Sequence, residues 1–101
     1  MTLPAFDETI HNPVRLRICA MLAGLDVAGF PVIRGVLGVS DSVLSKHLAM
    51  LEAAGYVKLS KATSKGRLRT SVSLTPTGRA AYFAHVAELR RIVDQAPQAL
   101  E

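Results

Sequence analysis

Along this chain the spacing of apolar residues changes from a helical period to a period of two near Gly55, and returns to a helical period after Pro76. Val14, Ile18, Met21, Leu22 and Leu25 recur at three- and four-residue steps and predict one core-facing helical stripe. Asn12 can cap that helix with Pro13 at its first position, where the missing N–H is harmless, and Gly24 stops it after about Ala23. Leu16, Cys19, Ala20 and Ala23 form a second apolar strip, too wide for a helix with one wet side. A second packing partner is implied, either a terminal helix or another subunit. Ahead of this helix, residues 1–11 read as a short arm or as a first helix opened by Asp7.

Phe30 to Gly38 reads as a short helix started by Pro31, with Gly35 inside it at a cost of ~1 kcal/mol relative to Ala. The Leu37-Gly38-Val39-Ser40 connection leaves room only for a tight turn before Ser40 caps a further helix. In that helix Leu44, Leu48 and Leu51 share a buried stripe, while Ser42, Ser45, Lys46 and Ala49 lie on another face. The second face is small, hydroxylated and singly basic, as a helix must be if its backbone is to approach a base edge or a phosphate. Gly55 ends the helix and Tyr56-Val57 begin a strand. Tyr56, Lys58 and Ser60 then alternate with Val57, Leu59 and Lys61, and Leu68, Thr70, Val72 and Leu74 alternate with Arg69, Ser71 and Ser73. The stretch from Ala62 to Arg67 joins these runs into a basic β-hairpin. Thr75-Pro76 starts a last helix, through about Asp94 and ended by Pro97, with Ala80, Phe83, Val86, Leu89, Ile92 and Val93 at helical spacing.

A chain of 101 residues with 50% apolar content can fold alone around one core, so a single domain over residues 1–101 is expected, its core about 10–95. No apolar run approaches the ~18 residues of a membrane span, and residues 1–8 lack the basic and apolar regions of a signal peptide. A cytoplasmic protein with no membrane partner is the expectation. The single cysteine, Cys19, permits no internal disulfide and agrees with a reducing compartment. The net charge of +4 is unevenly placed. In residues 1–50, Arg15, Arg17, Arg34 and Lys46 cancel Asp7, Glu8, Asp26 and Asp41, whereas Lys58, Lys61, Lys65, Arg67, Arg69 and Arg79 follow Tyr56 with no acidic residue among them. That block is the candidate polyanion-facing surface; the alternative is a solvated hairpin whose charges discourage strand-to-strand association.

The order helix, short helix, turn, helix, basic hairpin, long terminal helix resembles winged helix-turn-helix transcription regulators of the ArsR/MarR type. Asn12-Pro13-Val14-Arg15-Leu16-Arg17-Ile18 resembles the start of the ArsR-type first core helix. Leu51-Glu52-Ala53-Ala54-Gly55-Tyr56-Val57 and Leu74-Thr75-Pro76-Thr77-Gly78-Arg79 resemble the helix-to-wing and wing-to-helix junctions of ArsR, MarR and PadR relatives. Small single-domain MarR-like regulators carry the recognition-helix pattern Ser-Asp-Ser-x-Leu-Ser-Lys-His-Leu, with Val43 at the variable position here. The resemblance implies a mainly α fold with a small β-hairpin, a winged helix-turn-helix whose long C-terminal helix dimerises. It implies a homodimer on double-stranded DNA that places two recognition helices, about residues 41–54, in successive major grooves, with wings of about residues 61–69 on the flanking backbone. Ser42, Val43, Ser45 and Lys46 would face the groove; Ser40 and the wing residues Thr63, Ser64, Lys65, Gly66, Arg67 and Arg69 would approach phosphates. Leu16, Cys19, Ala23, Phe83, Val86, Leu89, Ile92 and Val93 would form the dimer contact. No Arg, Asn or Gln stands among the groove-facing residues, so readout would rest on Lys46, hydroxyls, a Val43 contact with a thymine methyl, and DNA shape.

Other chemistry finds less support. No nucleophile elbow, Gly-rich phosphate loop or metalloprotease motif is present, so no enzyme and no cofactor is expected. A metal-responsive ArsR-like sensor is one alternative: His85 and Glu88 at i and i+3 resemble half a site, although the Asp-x-His half and the Cys-x-Cys motif are missing. His85 otherwise reads as a polar residue on a helix flank, His47 as a packed and hydrogen-bonded histidine, and Cys19 as inert packing rather than a redox switch. A winged-helix protein-interaction module is the other alternative, but it needs neither a basic hairpin nor a small-residue helix face. No small-molecule effector is identified by any motif.

Overall fold

The computed structural model describes residues 6–95. Asp7 does open a first helix, α1 (Glu8–His11), its carboxylate accepting the Ile10 N–H at 3.0 Å. Asn12 caps α2 (Pro13–Gly24), its side-chain oxygen accepting from the N–H groups of Val14 and Arg15 at 2.9 and 3.2 Å. This helix packs against α1 and four further elements, the three later helices and the last strand of the sheet. Cys19, placed by its spacing on an outer strip, is instead fully buried beside Ile18 and Leu22 in the core. Its side chain has no surface to offer a second subunit. Leu16 and Ala23 are half-buried, and Ala20 is exposed. Leu25, expected on the core stripe, lies beyond the helix end and is exposed.

Ala28–Gly29 form a two-residue strand, β1, followed by α3 (Phe30–Leu37), α4 (Asp41–Ala53), β2 (Val57–Ser64) and β3 (Arg67–Leu74). The sheet is antiparallel with order β1-β3-β2, so the expected hairpin gains a third strand where Ala28 and Gly29 pair with Val72 and Ser71. The hairpin connection is also shorter than its sequence suggests. Ser64 pairs with Arg67, leaving only Lys65 and Gly66 in the turn, both with positive φ, 52° and 76°. Two successive positive-φ residues match the right-handed twist of the strands, which is why so short a loop closes here. The core gathers Ile10, Ile18, Leu22, Ile33, Leu44, Leu48, Leu51, Val57 and Val72 between the helices and the base of the sheet.

The final helix, α5 (Pro76–Gln95), starts where the Thr75 hydroxyl accepts the Gly78 N–H at 2.9 Å. Its inward face is not the apolar stripe that the spacing suggests. The buried positions are Gly78, His85 and Glu88, with Ala81 and Tyr82 packed on the core. Phe83, Ile92 and Val93 point outward, and every residue from Arg90 to Gln95 is exposed. Among the described residues no helix is long and apolar enough to cross a membrane.

Candidate nucleic-acid interface

Gly38 ends α3 in the left-handed region, φ 66°, its N–H donating to the Arg34 carbonyl at 2.9 Å. The chain reverses through Val39 and α4 begins at Ser40, whose Oγ accepts the Val43 N–H at 3.2 Å. Ser40 is thus first a helix cap; its exposed hydroxyl also lies 3.3 Å from that of Ser42. Leu44, Leu48 and Leu51 are fully buried. Ser42, Val43, Ser45, Lys46 and Ala49 are all exposed, so the expected small face of α4 is open along its length. Arg34 and Asp41 form an ion pair at 2.6 Å across the turn, which offsets the one carboxylate at the start of that face.

One flank of α4 is tied to α2 by Arg15, whose guanidinium donates to His47 Nδ1 at 3.0 Å and to Met50 Sδ, and also to the Thr9 carbonyl. His47 is therefore a hydrogen-bonded packing residue. Burial, then Arg15 and Lys46, hold its pKa below the usual imidazole value.

The wing extends past the core, with every residue from Ser60 to Arg69 exposed. Paired residues in an antiparallel ladder point to the same face, so register sorts the basic residues. Leu59 with Val72 is followed on the core-side face by Lys61 with Thr70 and Thr63 with Leu68. Ala62 with Arg69 and Ser64 with Arg67 lie on the opposite face. Lys61 accordingly lines an open cleft of about 190 Å³ with Ser45, Ala49 and Glu52 of α4. The alternation Val57, Leu59, Lys61 carries the signal that sets this lysine on a different face from Arg67 and Arg69. Arg79, counted in the basic block, is half-buried and donates to the Ala23 carbonyl at 3.2 Å, capping α2 rather than facing a polyanion.

His85 and Glu88 are committed elsewhere. His85 is fully buried rather than flanking, bonded to the Asp7 N–H and to His11, and Glu88 is paired with Arg91. That pairing holds the Glu88 carboxyl below its usual range. Among the described residues no group of three or more His, Cys, Asp or Glu side chains is placed to hold a metal ion.

The site is thus a helix-turn-helix with an open small-residue face on α4 and a basic wing beside it. The winged helix DNA-binding domain profile matches residues 14–93. An uncharacterized protein of Methanocaldococcus jannaschii, MJ0432, is 34% identical over 85 residues, covering 84% of this chain and 92% of that one. The structure of a transcriptional regulator homologue from Pyrococcus horikoshii OT3 superposes with a TM-score of 0.83 at 32% identity, covering 87% of each chain. The zinc-responsive MarR family member ZitR of Lactococcus lactis shares the fold, with a TM-score of 0.64 at 23% identity over 87% of this chain and 60% of its own. Profile, sequence relative and superposed structure cover the same elements, and the chain belongs to the winged helix DNA-binding domain family.

Proposed function

We propose that this protein is a transcriptional regulator that binds duplex DNA as a homodimer, with α4 in the major groove and the wing on the flanking backbone. The observation that carries this reading is the open face of α4: Ser42, Val43, Ser45, Lys46 and Ala49 are exposed together while Leu44, Leu48 and Leu51 are buried and Arg15 ties His47 to α2. Small side chains let the helix axis approach the base edges, and Lys46 is the one cation long enough to reach a guanine acceptor or a phosphate. Lys61, facing the same cleft, and Lys65, Arg67 and Arg69 farther out supply the backbone attraction. Thr63, Ser64 and Gly66 at the wing tip add hydroxyl and backbone donors, as Ser40 does at the start of α4. Dimerisation rests on α5, which leaves Phe83, Ile92 and Val93 uncovered, with Val86 and Leu89 half-buried beside them and Leu16 and Ala23 half-buried on α2.

The test is selection of random duplex DNA by the protein, followed by footprinting of the enriched site. A dimer reading two major grooves enriches an imperfect palindrome with half-site centres about 10 base pairs apart. Failure to enrich any sequence at low salt would overturn the reading and turn attention to a protein partner.

A further inference from the structure

All three histidines of the chain accept a hydrogen bond from a neighbour, and the three bonds tie together the helices that would read DNA and dimerise. The Asp7 N–H donates to His85 Nδ1 at 2.9 Å. A backbone amide can only donate, so Nδ1 is bare and the His85 proton sits on Nε2. That Nε2 lies 3.2 Å from His11 Nδ1, which must then accept in turn. Arg15, a guanidinium with no acceptor, donates to His47 Nδ1 at 3.0 Å, so His47 too is neutral with its proton on Nε2. A second proton on His85 or His47 places N–H against N–H and breaks a bond of the chain.

These bonds hold one short segment. Phe6 packs its ring on both His11 and His85, with centroids at 4.6 and 4.8 Å. The Asp7 carboxylate accepts from the Tyr56 hydroxyl and from the Ile10 N–H, and the Thr9 carbonyl accepts from Arg15. Residues 6–11 thus bridge α5 at His85, the start of the wing at Tyr56, and through Arg15 the recognition helix at His47, next to Lys46. We propose that this segment is a proton-released clasp, closed when His85 and His47 are neutral and opened by mild acid, and that its opening frees α4 from Arg15 and weakens DNA binding. The DNA consequence rests on the function proposed above; the clasp itself does not.

The charges around each ring agree with that direction. Burial, and then His11, hold the His85 pKa below its usual value against the opposing pull of the Asp7 and Glu8 carboxylates. The Asp7 carboxylate is already engaged by Tyr56 and Ile10. The other ionisable groups of this pocket are the Tyr56 phenol and the Cys19 thiol, both protonated at neutral pH and pushed further up. Burial lowers the His47 pKa, and the cations Arg15 and Lys46 beside it add to that effect. With both folded-state values lowered, the unfolded or opened chain binds protons first as pH falls. The stability present above about pH 6.5 is lost progressively below it.

Two readouts test the proposal on the full chain. Amide exchange of Ile10 and His11, whose N–H groups bond to the Asp7 side chain and carbonyl, should lose protection at least about tenfold between pH 7.5 and 5.5 while Leu22 keeps its own. DNA affinity at constant salt should fall at least about tenfold over the same interval, although added positive charge alone raises affinity for a polyanion. His47→Asn keeps an acceptor for Arg15 that cannot be protonated and should flatten the pH dependence of DNA affinity. Unchanged protection of Ile10 and His11 at pH 5.5, or a nitrogen spectrum showing a cationic His85 in the closed form, overturns the clasp. Opening without loss of DNA affinity overturns its link to α4. Absence of DNA binding at pH 8 refutes the proposed function and leaves the exchange measurement to decide the clasp.

Discussion

A Cβ built on Gly78 would lie 2.0 Å from the carbonyl oxygen of Tyr56 and within 2.8 Å of its Cα. The wing and the terminal helix meet at this contact. Tyr56 also accepts the Thr75 N–H through the same carbonyl at 3.0 Å, and the Thr75 hydroxyl donates to the Gly55 carbonyl at 2.6 Å. The obstruction is backbone, which no rotamer change relieves. Gly78→Ala should therefore cost at least about 3 kcal/mol, the upper range of overpacking. A thermal melt should show a fall of more than about 10 °C for a domain of this size. A loss of only a degree or two would mean that the helix start shifts freely on the wing.

How much of this architecture was legible in the chain depends on where each element finds its partners. Ser40 with Leu44, Leu48 and Leu51, and Asn12 with Pro13, are local patterns, and the helices they predict are present. Strand β1 has only two residues and no period; it exists because Val72 and Ser71 offer it a free edge. The inward face of α5 was unreadable for a different reason. His85 is buried because Asp7, 78 residues earlier, and His11 complete its hydrogen bonds, so a polar residue goes inside and Phe83 stays out. Of the candidate site, the open face of α4 followed directly from helical period. The division of wing cations between two faces required the hairpin register, which a six-residue connection from Ala62 to Arg67 left open.

Stability should fall in alkali. Burial, with a contribution from the Asp7 carboxylate, pushes the Cys19 thiol from 9.0 up to about 11. Between those values the folded chain keeps a proton that the unfolded chain has lost, so stability is full below about pH 9 and declines as pH rises towards 11. A shift of this size amounts to on the order of 2–3 kcal/mol. Tyr56 acts in the same direction from a higher starting point, pushed up to about 12 by its bond to Asp7 and by burial. Urea midpoints measured at pH 8 and pH 10.5 should separate for the wild type and lie closer together for Cys19→Ala, whose baseline is lower. Equal separation in both proteins would show that Cys19 titrates freely.

Dimerisation should be lost when the uncovered side of α5 is made acidic. Phe83 is 53% exposed and Val93 63%, so Phe83→Glu should leave the folded protomer intact by circular dichroism. Light scattering at tens of micromolar should then report a dimer for the wild type and a monomer for the variant. A wild type that is monomeric under those conditions rules out α5 as a stable interface and requires pairing on DNA instead.

The two faces of the wing should differ in their effect on salt dependence. Lys61 shares a cleft with α4, whereas Arg67 and Arg69 lie on the opposite face of the ladder. Each phosphate contact contributes about 0.9 to the slope of log affinity against log salt, so removing one cation from both protomers should lower it by up to about 1.8. Lys61→Ala and Arg67→Ala measured in parallel identify which face lies on the backbone. An unchanged slope for both would move the phosphate contacts to Lys65 and the wing tip.

Lys46 separates sequence reading from simple attraction. It projects from α4 among Ser42, Val43 and Ser45 with no side-chain partner among the described residues, while His47 beside it is anchored to Arg15. If Lys46 contacts a guanine, Lys46→Ala should weaken the selected site by ~1–3 kcal/mol and leave random DNA almost unaffected. Leu48→Ala gives the contrasting pattern: a fully buried leucine lost from the same helix should lower stability by ~2–5 kcal/mol through the cavity it leaves. The ratio of specific to non-specific affinity for the folded Lys46 variant is the deciding quantity. A ratio equal to that of the wild type makes Lys46 a phosphate anchor, and discrimination then falls to Val43, the serine hydroxyls and the deformability of the site.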